Sequence, residues 1–270
     1  MSNSKICRSL LFVPGDRPER FAKALASGAD AVVIDLEDSV EPSRKAVARS
    51  SCHAFLSQGG SAMVRVNGLD TPWAAEDLAL GPSPGLAGVL VPKAEGSAAL
   101  AGLSRHLGRE SPILPLIESA RGMLDLQEIA GTPGVQRLVL GTVDLCLELG
   151  LAEGASVLDG FRAQLVLVSS AAGLQPPVEG VTLELRDPAR LERACVEARR
   201  NGFGGKLCLH PAQVEAVNRC FLPSPEEIQW ARDIVELAAR HGGAFAHAGR
   251  MVDKPVIARA RRLLEYLQGD

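Results

Sequence analysis

Asp35, Glu37 and Asp38 in VVIDLEDSV, Arg65 in MVRVNG, Lys93 and Glu95 in VLVPKAEG, Glu118 in ILPLIESARG, Asp144 in LVLGTVDL and His210 in KLCLHPAQ all follow short apolar runs. Glu118 and Asp144 are candidate ligands for Mg2+ or Mn2+. Such ions prefer oxygen, and Mg2+ usually takes one or two carboxylates and leaves positions for water and substrate. Two carboxylates in one pocket repel unless a proton or a cation intervenes. The plain structural alternative is that both acids precede helical stretches and favour the helix dipole. Arg65 carries a planar fork suited to a substrate carboxylate; its alternative is a structural ion pair with Glu37 or Asp35. Lys93 is a conceivable Schiff-base lysine, but in a Pro-Lys turn with Glu95 close behind it reads better as an ion pair. His210 reads as a structural histidine.

For these side chains to meet, the apolar runs must be neighbouring strands. Val-, Ile- and Leu-rich segments alternate with amphipathic Ala-, Arg- and Glu-rich stretches, the pattern of βα units around a parallel sheet. The predicted strands are Ser9–Val13, Ala31–Asp35, Ala62–Val66, Gly88–Val91, Ile113–Ile117, Arg137–Leu140, Gln175–Val178 and Lys206–Leu209. The predicted helices between them are Pro18–Ser27, Pro42–Ser57, Thr71–Leu80, Ser97–Leu107, Gly122–Ala130, Val157–Ala172 and Pro188–Asn201. Eight such strands suggest a (β/α)8 TIM barrel, whose catalytic face is the C-terminal end of the strands. That rim gathers ionisable residues after six of the eight predicted strands. A doubly wound open sheet is the competing architecture, but FVPGDRPER lacks its glycine-rich phosphate turn. The chain then continues through helical stretches at Pro211–Cys220, Pro225–His241 and Lys254–Leu267. Residues 1–222 are therefore expected to form the catalytic barrel. Residues 223–270 would form a helical extension serving as lid, oligomer arm or both.

Composition narrows the function classes. The chain has 270 residues, 46% of them hydrophobic and 23% charged, values of a soluble globular protein. A net charge of −3 provides no basic footprint for nucleic acid or an acidic membrane surface, and 4% aromatic residues leave few platforms for base stacking. No apolar run is long enough for a membrane span, and the N-terminus lacks the apolar core of a signal peptide. The six cysteines form no CxxC or other metal-ligand pair. They read as reduced thiols of a cytoplasmic protein.

Several segments, in order along nearly the whole chain, are similar to the citrate lyase β-subunit-like family within the HpcH/HpaI aldolase superfamily. They are RSLLFVPGD (8–16), ADAVVIDLEDSV (29–40), VRVN (64–67), VPK (91–93), PLIESARG (115–122), GFGGKLCLHPAQ (202–213) and GRMVDKP (249–255). The ordered set is specific although single pieces are not. The resemblance implies a TIM barrel assembled as a homotrimer or a hexamer. It also implies Mg2+-dependent (with Mn2+ as a substitute) cleavage or formation of a carbon–carbon bond in a 3-hydroxyacyl thioester of coenzyme A or an acyl carrier, of the citryl, malyl, methylmalyl or citramalyl type. Carried over by motif, Glu118 and Asp144 would hold the metal and Arg65 would bind substrate oxygens. Glu37 and Asp38 would position substrate or water at the metal, and Phe12, Pro14 and Arg17 would lie near the thioester or nucleotide arm. Asp253 would be the acid/base residue, brought in by the tail of the same or a neighbouring subunit; its plain alternative is a helix N-cap before Lys254-Pro255.

Two positions depart from the family pattern: Val143 stands where relatives commonly carry an acid, and Ala248 stands where the last loop often carries Asp. Both bear on substrate identity. The chain is somewhat shorter than the β-subunit of multi-subunit citrate lyase, which favours a stand-alone acyl-CoA lyase. Two alternatives stay open. One is a pyruvate-type aldolase acting on free hydroxy-keto acids, disfavoured because the first histidine, His53, falls inside a predicted helix. The other is a citrate lyase β-subunit active only with partner subunits.

Overall fold

The structure, a computed structural model, describes residues 6–268 apart from 82, 108–110, 153 and 242. Eight parallel strands close into a barrel in sequence order: β1 (Ser9–Pro14), β2 (Ala31–Asp35), β3 (Ala62–Arg65), β4 (Leu86–Val91), β5 (Ile113–Ile117), β6 (Val139–Leu140), β7 (Val178–Glu179) and β8 (Gly205–Cys208). β1 closes the ring on β8 with Leu10 opposite Leu207 and Leu11 opposite Cys208. Strands covered on both faces need apolar residues on both. Leu10, Val33, Met63, Leu90, Leu114, Leu116, Val139, Val178 and Leu207 accordingly fill the interior. Their neighbours Leu11, Ile34, Val64, Val89 and Cys208 point outward into the layer of helices. This is the expected (β/α)8 barrel.

Several elements differ locally from expectation. The stretch expected as one helix over Gly122–Ala130 forms two five-residue helices, Ala120–Leu124 and Leu126–Ala130, broken at Asp125. Pro18–Ser27 starts as a 3-10 turn, Pro18–Arg20, before the helix Phe21–Leu25. A helix over Thr142–Leu149 was not anticipated, because TVDLCLEL alternates apolar and polar residues as a strand would. It stops at Gly150, whose φ of 64° is a left-handed C-terminal conformation that favours glycine. The sixth and seventh strands are shorter than predicted. Arg137 is buried there, donating from Nε to the Pro176 carbonyl and from Nη1 to the Cys7 carbonyl.

The chain divides into two compact units, Cys7–Phe221 containing the barrel and a second formed by the chain from Leu222 onward. The second unit pairs the helices Pro225–Arg240 and Lys254–Gln268 around Ala231, Ile234, Val252 and Ala260. Ser224 and Glu227 form a capping box at the first of these helices. Between the helices lies an antiparallel hairpin, β9 (Phe245–His247) and β10 (Arg250–Val252), with His247 opposite Arg250. Its two-residue turn requires positive φ at both positions, 43° at Ala248 and 72° at Gly249. Such turns favour Asn-Gly or Asp-Gly, and an alanine there is strained. The departure at Ala248 thus falls on a backbone-determining position. Among the described residues no helix is long and apolar enough to cross a membrane. Replacing Ala248 with Asn should stabilise the hairpin by about 1 kcal/mol, seen as slower amide exchange at Phe245–Val252 than in the unaltered protein.

Candidate active site

At the C-terminal rim, the side chain of Asp35 ends β2 and that of Arg65 ends β3, and their registers place them side by side. Arg65 grips Asp35 with two donors, Nε to Oδ1 and Nη2 to Oδ2, each 2.6 Å. Its Nη1 lies 3.0 Å from Glu37 Oε2 and 4.0 Å from Asp38 Oδ2. Phe12 of β1 lies beneath the guanidinium, 4.7 Å from ring centroid to Cζ. The ion-pair alternative for Arg65 is therefore realised with both Asp35 and Glu37. A guanidinium has five N–H groups. One N–H on each terminal nitrogen remains for another acceptor.

The DLEDS turn is built around Asp35. Its carboxylate accepts the backbone N–H groups of Glu37 at 2.9 Å and Ser39 at 3.1 Å. Burial alone would push the Asp35 carboxyl up, but the Arg65 guanidinium and these N–H donors hold it below the usual range. Lys45, buried beneath Trp73, donates to the carbonyls of Leu36 and Glu37 at 2.9 Å each and locks the same turn. Glu37 is itself buried, which raises its pKa.

Glu118 follows β5, immediately before Ser119, which caps the helix Ala120–Leu124 through Gly122 N–H at 3.0 Å. One of its oxygens, Oε1, accepts the Lys93 backbone N–H at 2.8 Å. The other lies against Gly141, where a Cβ would sit 2.6 Å from Oε2 and 2.4 Å from the Glu118 Cβ. Only glycine leaves room for this carboxylate. Burial pushes the Glu118 carboxyl up to about 8, the Lys93 N–H opposes the shift and the Asp144 charge adds to it. Asp144 lies in the first turn of the helix Thr142–Leu149, and Glu118 and Asp144 line one cavity of about 560 Å3 with Lys93 and Glu95. Val143 turns away from that cavity and lines a second one with Thr142 and Cys146. The departure there leaves the carboxylate pair intact.

These residues fit a hard dication. Glu118 and Asp144 share one cavity with Lys93, whose ammonium is paired with Glu37. Among the described residues no group of three or more His, Cys, Asp or Glu side chains is placed to share an ion. A dication would thus take Glu118 and Asp144, with water and substrate supplying the rest, the habit of Mg2+.

Other candidates take different places. Lys93 pairs with Glu37 Oε1 at 3.3 Å and not with Glu95, which accepts from Ser119 Oγ at 2.6 Å. Asn67 is committed to Asp77 through its backbone N–H and its Nδ2. His210 is exposed, its Nδ1 accepting the Ala212 N–H at 3.1 Å. Pro14 ends β1, while Arg17 is exposed beyond it, 4.0 Å from Asp16. In the second unit, Asp253 caps the helix Lys254–Gln268, its Oδ1 accepting the Val256 N–H at 3.3 Å. The N-cap alternative is therefore realised. Sequence reasoning named Asp35 as an ion-pair partner of Arg65 but missed its hold on the DLEDS turn, and it missed Lys45 and Gly141. Asp35 carried a readable signal, an acid at the end of a predicted strand next to Arg65.

Comparisons with known proteins agree with this geometry. The family model described as HpcH/HpaI aldolase/citrate lyase matches residues 8–211. A citrate lyase subunit beta-like protein of Mycobacterium tuberculosis is 34% identical over 94% of this chain and 93% of its own length. A (3S)-malyl-CoA thioesterase of Cereibacter sphaeroides is 37% identical over 95% of this chain and 93% of its own. The crystal structure of the Mycobacterium tuberculosis protein CitE in complex with magnesium, acetoacetate and coenzyme A superposes with a TM-score of 0.86 at 32% identity. It covers 97% of this chain and 98% of that one. Sequence, fold and rim chemistry converge: the chain belongs to the HpcH/HpaI aldolase/citrate lyase family.

Proposed function

We propose that the protein is a Mg2+-dependent carbon–carbon lyase that cleaves or forms a 3-hydroxyacyl-CoA thioester of the citryl, malyl or citramalyl type, giving a keto acid and an acyl-CoA. The observation that carries this reading is one rim holding both a guanidinium with N–H groups to spare and the buried carboxyl of Glu118 sharing a cavity with Asp144. The relatives named as malyl-CoA thioesterases and the CitE complex with magnesium and coenzyme A support the substrate class.

Cleavage breaks the bond between the hydroxyl carbon and the carbon next to the thioester. The hydroxyl loses its proton and becomes the keto oxygen, and the electron pair of the broken bond passes to the thioester enolate. A bound dication supplies Lewis-acid stabilisation of negative charge on substrate oxygen. Arg65 donates its remaining N–H groups to the substrate carboxylate. Asp35 and Phe12 fix the plane of the guanidinium, so little reorganisation is needed as charge develops. Glu37 and Asp38 orient substrate beside it. Asp253 is assigned the proton exchanged with the enolate carbon, on the strength of the GRMVDKP motif. Phe12, Pro14 and Arg17, on β1 and the turn after it, are assigned to the thioester side.

Residues 1–222 are read as the catalytic domain and 223–270 as a lid or assembly arm of a trimer or hexamer. Six free thiols fit a cytoplasmic location.

Purified protein given malyl-, citramalyl- and citryl-CoA should release a keto acid and an acyl-CoA only with Mg2+. Glu118→Ala and Asp144→Ala should fold yet lose at least about 100-fold in Mn2+ affinity, and Asp253→Asn should bind metal normally but turn over slowly. Free CoA appearing with the intact hydroxy acid would mark hydrolysis, the activity in the name of the Cereibacter sphaeroides relatives. No reaction with any thioester would refute the lyase reading.

Arg65→Lys should lower kcat/KM by roughly 100-fold, because an ammonium cannot hold Asp35 and the substrate carboxylate in one plane. Steady-state kinetics on the active thioester measure this.

Glu118 makes metal binding pH-dependent. With its carboxyl raised from 4.5 to about 8, metal-free protein carries this residue protonated at neutral pH. Binding must expel that proton, so Mn2+ affinity should rise up to about tenfold per pH unit towards pH 8 and level off above it. The same shift stabilises the metal-free fold fully below the ordinary carboxyl range, and that contribution is lost as pH rises through about 8. Mn2+ titrations and melting curves between pH 5 and pH 9 report both effects.

A further inference from the structure

Lys93 is one of two described non-glycine residues with positive φ, at 47°; the other is Ala248 in the hairpin turn. Residues held in this region by the surrounding fold concentrate at functional sites. Here two contacts on the following strand hold it. The Ala94 N–H donates to the Leu116 carbonyl of β5 at 3.2 Å, and the Lys93 N–H donates to Glu118 Oε1 at 2.8 Å. The positive φ at Lys93 sets the relative direction of these two successive N–H groups, so that both bonds form at once. Its ammonium meets Glu37 Oε1 at 3.3 Å, and the side chain remains 52% exposed on the wall of the cavity that holds Glu118 and Asp144. Glu37 therefore lies between two cations, Arg65 on Oε2 and Lys93 on Oε1.

We infer that Lys93 does two jobs at this site: its left-handed backbone orients Glu118, and its ammonium is a second substrate-facing cation opposite Arg65 across Glu37. The ammonium has three donors and spends one on Glu37, so the others can meet a substrate carboxylate entering the cavity. Only the identity of the substrate rests on the lyase reading.

Three variants separate the two roles. Lys93→Gly keeps the backbone N–H and tolerates positive φ but removes the charge. Lys93→Pro removes the charge, the backbone N–H and the positive φ together, whereas Lys93→Arg keeps the charge. Mn2+ affinity is measured by electron paramagnetic resonance without substrate. Binding of pyruvate, the keto acid that citramalyl cleavage would release, is measured by NMR titration with Mg2+ present. Lys93→Gly should hold Mn2+ within about twofold of the unaltered protein and lose about tenfold in pyruvate affinity. Lys93→Pro should weaken Mn2+ binding by about fivefold relative to Lys93→Gly, and Lys93→Arg should retain pyruvate binding. Unchanged pyruvate affinity in Lys93→Gly would overturn the substrate-facing role. Equal Mn2+ affinity in Lys93→Gly and Lys93→Pro would overturn the backbone role. If Lys93→Pro does not fold, a loss of Mn2+ affinity in Lys93→Gly overturns the backbone role instead. Neither measurement uses turnover, so failure of the lyase reading remains distinguishable.

Discussion

The Asp35–Arg65 pair is the fixed point of this site. Each residue ends a strand, and parallel register makes the strand ends neighbours before either side chain is considered. The carboxylate then folds the DLEDS turn over itself by accepting two backbone N–H groups. That turn brings Glu37 to the guanidinium, and Glu37 in turn holds the Lys93 ammonium. Removing either partner would leave an uncompensated charge at a nearly dry position, a far larger penalty than losing an exposed ion pair. The polar groups around the DLEDS turn are thus ordered from two residues outward.

The second half of the site is organised by shortage. Glu118 is buried beside another carboxylate with one backbone donor for company, and Gly141 keeps the space next to its second oxygen open. A protein has little reason to bury a carboxylate this way for stability alone. The arrangement makes sense where a cation joins the cluster, and it explains why the barrel tolerates a glycine at the start of the helix that carries Asp144.

Much of this was legible in the sequence, for definite reasons. β2 and β5 run over their expected residues because Ala31–Ile34 and Ile113–Ile117 are continuous apolar runs bounded by turn-forming or polar residues. The rim residues could be named because a parallel barrel displays whatever follows its strands. What stayed hidden depends on three-dimensional context. TVDLCLEL alternates like a strand yet forms a helix, because the barrel already takes its sixth strand from Val139–Leu140 and the next segment must cross back outside. The partner of Lys93 was misjudged because sequence proximity favoured Glu95, whereas the left-handed turn after Pro92 sends the ammonium to Glu37. No residue pattern announces a lysine at positive φ.

Phe12 belongs to two systems at once. Its ring packs on the apolar residues that fill the barrel interior and also carries the guanidinium of Arg65. The top of the hydrophobic plug is therefore the floor of the reaction chamber. A change of volume anywhere along that plug, at Leu10 or Leu207 for instance, can tilt the ring and with it the plane in which a substrate carboxylate is received. Along β1, selection for a well-filled interior and selection for chemistry act on the same atoms, and neither can drift without the other.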